Sequence, residues 1–340
     1  MRQNSEHAKE FEMNDELRSK PVSKSLIVIL VVVIVIVVLL WVFEIPRYLR
    51  MDKHTVDAAI QGYHSKPKAS KSRVVVTMTT IPPRVEYLKP TIMSLLDQSV
   101  RVDEIALNIP WKSRKGQRYQ LPAWLSEIPI VKIHRVPKDL GPGTKILPTL
   151  KRESKDTRVI AVDDDNIYAS KMIEKLVQEF DKYDGKCAIT NYGMKLSQSS
   201  HDHTALGDVK FHYRFPYRWD RILKCMSGAR EVDFLQGCSG FLVTPKMFLK
   251  GVHDLNSGPS EAVNVDDMWL SGWLHLNNVE IRQPAMNIRF FPIPYVKSLL
   301  NTPSLIAAEE SEGKRNNKIV IEWFRKQGVK LCCDKCTSDK

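Results

Sequence analysis

Arg158-Val159-Ile160-Ala161-Val162-Asp163-Asp164-Asp165-Asn166-Ile167-Tyr168 decides the fold. Its first five residues read as a buried, β-branched-rich strand that runs straight into three carboxylates, and helical periodicity resumes within about six residues. In an open α/β sheet that order puts the acids at the carboxyl end of a strand, where ligand crevices form. Three adjacent carboxylates repel one another, so a divalent cation is the economical reason for keeping them together. Alternate residues of an extended segment point the same way, which pairs Asp163 with Asp165 and opposes Asp164 to them.

Working outward, residues 73–79 show a strand pattern that exits through Thr80-Ile81-Pro82-Pro83-Arg84, and 86–98 carry a helical pattern with Pro90 near its first turn. Residues 102–109 and 130–136 read as strands on either side of a basic loop, 110–120. A turn at 137–143 and a helix over 144–154 lead into the acidic strand. Beyond it come a helix at 170–183, a strand at 186–191, unperiodic loops over 194–230 and a short strand at 231–235. A strand then a helix over 241–251, a helix at 264–276, strands at 279–284 and 289–295 and a helix at 317–327 complete the chain. Strand and helix alternate at βαβ spacing, which predicts an α/β fold with a mainly parallel sheet flanked by helices.

Residues 26–43 are eighteen uncharged, almost wholly aliphatic positions between Lys24 and Glu44. As a helix they extend about 27 Å, the thickness of a thin bilayer, so one transmembrane helix is expected. No small-residue cleavage site follows, which favours a retained signal anchor over a cleaved signal peptide. Arg18, Lys20 and Lys24 before the run are matched by Arg47, Arg50 and Lys53 after it, so charge does not set the orientation. Residues 1–25, with five basic and five acidic side chains, read as a disordered tail, 44–71 as a stem, 72–330 as the folded domain and 331–340 as a Cys-containing tail. Cys187, Cys225, Cys238, Cys332, Cys333 and Cys336 permit up to three disulfides in an oxidising compartment. The net charge of +12 is scattered, with no nucleic-acid module signature, so no nucleic-acid partner is expected.

The strand ending in Asp163-Asp164-Asp165 resembles the Asp-x-Asp motif of nucleotide-sugar-dependent glycosyltransferases with the Rossmann-like GT-A fold, and the resemblance covers roughly residues 74–284. It implies that Asp165 binds Mn2+ or Mg2+ and that Asp163 meets the ribose or sugar, directly or through water, with Asp164 serving the sugar instead as the alternative. Thr79, Thr80 and Arg84 lie where that fold holds base, ribose and phosphate, and Lys145, after Gly141-Pro142-Gly143-Thr144, stands where a donor-touching cation is found. Asp266-Asp267 resembles the acidic pair at a helix start in inverting members, with Asp267 as the base and Asp266 second. His275 completes the metal shell with Asp163 and Asp165 on the same reading.

Gln236-Gly237-Cys238-Ser239-Gly240 resembles the small-residue segment on the acceptor side, and Trp219, Trp269 and Trp273 offer faces for a sugar. The expected protein moves a single sugar to a hydroxyl of a glycan, glycoprotein or glycolipid, since one span and no Gln-x-x-Arg-Trp motif argue against polymer extrusion. Its expected setting is a type II single-pass membrane protein of the Golgi or another secretory-pathway membrane, with the catalytic domain lumenal. Each site residue also has a plainer reading: Asp266 and Asp267 as helix caps, Lys145 as a solvated side chain, His275 and the tryptophans as packed ones. Two alternatives stand beside the transferase. One is a haloacid-dehalogenase-type phosphatase with Asp163 as nucleophile; the other is a non-catalytic, membrane-anchored glycan-binding module.

Overall fold

The computed structural model describes residues 23–42, 44–51, 53, 55–195, 229–285, 292–302 and 316–331. It divides into two units, Met1–Pro46 and Arg47–Lys340. In the first, α1 (Lys24–Val42) carries aliphatic side chains from Ile27 to Leu40 that are all between 41% and 61% exposed. That stretch is about 21 Å long, and no helix among the described residues is long and apolar enough to cross a membrane. The expected span over 26–43 is therefore not shown: Phe43 and the side chains of Leu26, Trp41 and Val42 lie outside the described residues.

In the second unit, eight strands form one sheet. These are β1 (Val74–Met78), β2 (Glu104–Pro110), β3 (Val131–Val136), β4 (Arg158–Ala161), β6 (Ala188–Thr190), β8 (Arg230–Val232), β10 (Phe241–Val243) and β11 (Ile281–Gln283), in the order β3-β2-β1-β4-β10-β6-β11-β8. The pairings β3-β2, β2-β1, β1-β4 and β6-β11 are parallel, whereas β10 and β8 run against their neighbours. Every residue of β1 and β2 is buried, the consequence of Val74-Val75-Val76 and Ile105-Ala106-Leu107 facing helices on one side or the other. The mainly parallel α/β sheet expected from the sequence is present.

The flanking helices are α2 (Val56–His64), α3 (Leu88–Leu96), α4 (Leu147–Arg152), α5 (Met172–Lys182), α6 (Asp266–Leu276) and α7 (Asn316–Lys326). Two-residue strands form two further pairs: β5 (Asn166–Ile167) pairs with β12 (Ile293–Pro294), and β7 (Gly193–Met194) with β9 (Phe234–Leu235). Because β1, β2, β3 and β4 are parallel, their carboxyl ends open on one edge.

Several expectations are corrected. From Arg47 on, the segment read as a stem is part of the domain: α2 starts on a Thr55 cap, Met51 and Tyr63 are buried, and the Tyr63 hydroxyl donates to the Val102 carbonyl at 2.7 Å. The helix expected over 144–154 begins as a 3-10 turn, Gly141–Lys145, and becomes α-helical only at α4, because Pro142 and Pro148 each fit a helix start and not an interior. Residues 231–235 split between β8 and β9 in different sheets, and 245–253 form 3-10 turns where an α-helix was expected. Most of the loops over 194–230 and the C-terminal tail lie outside the described residues.

Candidate functional site

The three acids emerge where β4 ends, beside the exit of β1. Asp164 is buried and turned into the protein: its carboxylate accepts from the Thr80 hydroxyl at 2.6 Å and from Arg84 Nη1 at 2.9 Å, while Thr91 Oγ1 donates to its carbonyl at 3.0 Å. Its carboxylate is thereby spent on the chain itself rather than open to a sugar. Arg84 also reaches Asp165 at 3.1 Å, and Asn166 Nδ2 donates to Asp165 Oδ1 at 2.9 Å. Thr79 takes no part, because its hydroxyl donates to the Asn108 carbonyl on β2 at 2.7 Å. Asp163 and Asp165 are 29% and 26% exposed and Asp164 is buried, but strand alternation does not set this: the strand ends at Ala161, Asp164 and Asp165 lie in a turn, and the Arg84 guanidinium touches both of them.

Lys145 faces them from the 3-10 turn that follows β3. Its carbonyl accepts from the Thr77 hydroxyl and from Asn108 Nδ2, which pins the backbone against β1 and β2. Its ammonium lies 2.8 Å from Asp163 Oδ1, 2.9 Å from Asp266 Oδ2 and 3.9 Å from Asp267 Oδ1, with only 6% of the side chain exposed. Burial by itself would lower its pKa. The carboxylates of Asp163, Asp266 and Asp267 more than offset that and hold it well above the usual lysine range. The solvated reading of Lys145 does not hold.

Asp266 and Asp267 occupy the first turn of α6, yet neither is its cap, which falls on Val265 without a side-chain bond. Asp267 accepts the Gly237 N–H on both oxygens at 3.1 Å and is 24% exposed. Burial pushes its pKa up to about 8; Asp266 and Asp163 add to the rise, and Lys145 and the Gly237 N–H oppose it. Asp165 is pushed up to about 7 by burial and by Asp164, with Arg84 opposing.

Both carboxyls have native pKa values above the unfolded value near 4, so the native state binds more protons than the unfolded chain in between. Their contribution to stability is present in full below about pH 4 and is lost as pH rises through about 7 and 8. Thermal melts from pH 5 to 8.5 are expected to show a falling Tm across that window; a flat or rising profile contradicts the carboxylate environment described.

Gly237 leaves the room that the Lys145 ammonium occupies. A Cβ there would stand 2.3 Å from Lys145 Nζ and 3.1 Å from Asp163 Oδ1. Gly237→Ala is expected to displace the ammonium, cost about 1–3 kcal/mol in denaturant unfolding and lower affinity for whatever the cleft binds. Unchanged stability would mean that the lysine is not held where the ion pairs put it.

Five carboxylates (Asp163, Asp164, Asp165, Asp266, Asp267) face two cations (Arg84, Lys145), an excess of negative charge that a divalent cation would relieve. Among the described residues no group of three His, Cys, Asp or Glu side chains converges as a metal cage. The hard oxygens of Asp165 and Asp163 nevertheless fit Mn2+ or Mg2+ bound by one or two carboxylates and completed by phosphate and water. His275 is not part of that set. It lies eight residues along α6 from Asp267, about 12 Å of helix, and its Nε2 is 2.7 Å from the Asp233 carbonyl, an ordinary packed histidine.

The tryptophans are corrected in the same way. Trp269 is fully buried with its Nε1 donating to the Val252 carbonyl at 2.8 Å, Trp273 packs edge-on against it, and Trp219 lies outside the described residues. Neither Cys187 nor Cys238 is disulfide-bonded among the described residues; the other four cysteines are not among them.

The sequence reading missed the supports of the site. Asn108 and Thr77 position Lys145, and buried Tyr168 takes the Asp163 N–H on its hydroxyl at 2.8 Å. A buried Asn and Thr on two adjacent apolar strands were the available signal, since polar residues at such positions need partners.

No known protein family matches the chain, and no curated protein does. Among solved structures, the chain is similar to the crystal structure of GalNAc-T7 with UDP, GalNAc and Mn2+, at 12% identity and a TM-score of 0.42 over 63% of this chain. The chain spans 42% of the length of that protein.

Proposed function

We propose that this chain is a metal-dependent glycosyltransferase that moves one sugar from a nucleotide-sugar to a hydroxyl of a glycan, protein or lipid. The observation that supports it most is the Lys145 ammonium, which joins Asp163 at the end of β4 to Asp266 and Asp267 at the start of α6. Donor-side acids and a base with a pKa near neutrality thus face one cleft. Asp267, ionised, accepts the proton of the acceptor hydroxyl as that oxygen attacks the anomeric carbon, the bond from that carbon to phosphate breaks, and the nucleoside diphosphate departs. That displacement inverts the anomeric centre.

Asp165, with Asp163, would hold Mn2+ or Mg2+, whose role is to neutralise charge on the departing diphosphate. Asp164 keeps Arg84 and Thr80 at the β1 exit, so that the guanidinium stands beside Asp165. Asp266 holds Lys145 in place and raises the basicity of Asp267.

For location, we propose, from the apolar run of residues 26–43 in the sequence, that this stretch anchors the protein in a secretory-pathway membrane with residues 72–330 lumenal. Protease protection of those residues in intact vesicles is the expected result, and digestion without detergent would refute it.

The test of activity is calorimetry of the full chain in detergent with UDP, GDP and CMP, with and without Mn2+, for wild type and Asp165→Ala. Binding that needs the metal and disappears in the variant is expected, and the nucleotide that binds names the donor class. No nucleotide binding by folded protein, or binding indifferent to both metal and variant, overturns the proposal.

A further inference from the structure

Beside this acidic cleft the same sheet edge carries a surface of opposite sign. The loop 111–118, Trp-Lys-Ser-Arg-Lys-Gly-Gln-Arg, leaves β2 at its carboxyl end and contains four basic residues and no acid. All of its residues but Ser113 are exposed. The loop has a defined shape: Gly116 N–H donates to the Ser113 carbonyl at 2.8 Å and Ser113 N–H to the Gln117 carbonyl at 2.9 Å, closing a turn. Two bonds tie it to the rim. Arg114 N–H donates to Asp139 at 2.8 Å, and Arg114 Nη1 donates to the Asn264 side chain at 2.8 Å, two residues ahead of Asp266.

Trp111 distinguishes this loop from an ordinary solvated basic face. The Arg135 guanidinium stacks over its ring at 5.3 Å from the centroid, and the indole is still 63% exposed. A large aromatic left in water beside a guanidinium and lysines offers an apolar face together with fixed positive charge. Sugar rings present C–H faces to such an indole, and carboxylate or sulfate groups on the same chain meet Lys112, Lys115 and Arg118. The cleft itself, rich in carboxylates, repels an anionic chain and leaves it held at the rim, with one hydroxyl reaching inward.

We infer that the 111–118 loop binds an anionic saccharide, one bearing uronate or sulfate groups, as the acceptor side of the site; the acceptor role rests on the transferase reading above. The tether through Asn264 favours this over a lipid surface, since it fixes the loop relative to Asp267. The test uses the full chain in detergent micelles and measures binding of heparin-derived and hyaluronan hexasaccharides, with neutral maltohexaose for comparison. Variants are Trp111→Ala and the double variant Lys112→Ser with Lys115→Ser, both surface changes expected to leave melting unchanged.

At least one anionic hexasaccharide is expected to bind about tenfold more tightly than maltohexaose, Trp111→Ala to weaken it about tenfold, and the double variant to weaken it and flatten its salt dependence. Equal binding of charged and neutral sugars, or indifference to both variants, overturns the inference. So does a loop that binds phosphatidylserine doped into the micelles in a Trp111-dependent way but no hexasaccharide. A UDP titration with Mn2+ on the same samples reports separately on the transferase reading: nucleotide binding without saccharide binding refutes the loop's role alone.

Discussion

Asp267→Asn is expected to lower turnover by about 10²–10⁴ while Mn2+-dependent nucleotide binding persists. Asparagine keeps the size of the side chain and an oxygen for the Gly237 N–H, so the first turn of α6 stays in place. What it loses is the ability to take a proton. On the proposed mechanism, wild-type kcat is expected to rise with pH and level off above about 8, because the proposed base would act as a carboxylate and burial pushes the Asp267 pKa up to about 8. Asp266→Asn is the control. It removes a partner of Lys145 and a neighbouring negative charge, so the limb is expected to shift to lower pH with activity retained. If Asp267→Asn keeps more than about a tenth of wild-type turnover, another group is the base.

Lys145→Met is expected to be the most destabilising single change in the cleft. It leaves the aliphatic volume and removes the charge that holds Asp163, Asp266 and Asp267 together, and a buried pair broken on one side costs about 3–5 kcal/mol. The loss depends on pH in a definite sense. Without the ammonium the Asp267 carboxyl, already raised by burial, loses the charge that opposes the rise, so the native variant takes up protons more strongly and its deficit shrinks as pH falls. Melts at pH 5 and pH 8 are expected to show a larger gap from wild type at pH 8. An equal gap at both values would mean that the lysine acts by packing alone.

Most strands were legible because a buried strand announces itself locally. Val74-Val75-Val76, Ile105-Ala106-Leu107 and Val159-Ile160-Ala161 carry their burial in their own composition, and the turns between them carry Gly and Pro. Less legible was the path after β10, where 3-10 turns replace the expected helix, since both conformations share a periodicity too similar to separate over four residues. The stem was misread for a related reason. Residues 47–71 are polar in composition, and contacts such as those of Tyr63 with Val102, two residues ahead of β2, and of Lys66 with Leu96 at the end of α3 are what show that they are packed.

By itself the sequence determined the α/β class, the position of the acids at a strand end and the acidic pair at the start of a helix, because each is encoded within a dozen neighbouring residues. Only the tertiary structure decided which members of those groups meet. Lys145, Asp163, Gly237 and Asp267 are separated by up to 122 positions and converge because four parallel strands open on one edge, with α6 set against it. The same geometry turned Asp164 inward, spent Thr79 on a strand, buried Trp269 and left Trp111 in water. Burial and partnership depend on what the rest of the chain brings alongside, and spacing along the chain does not carry that information.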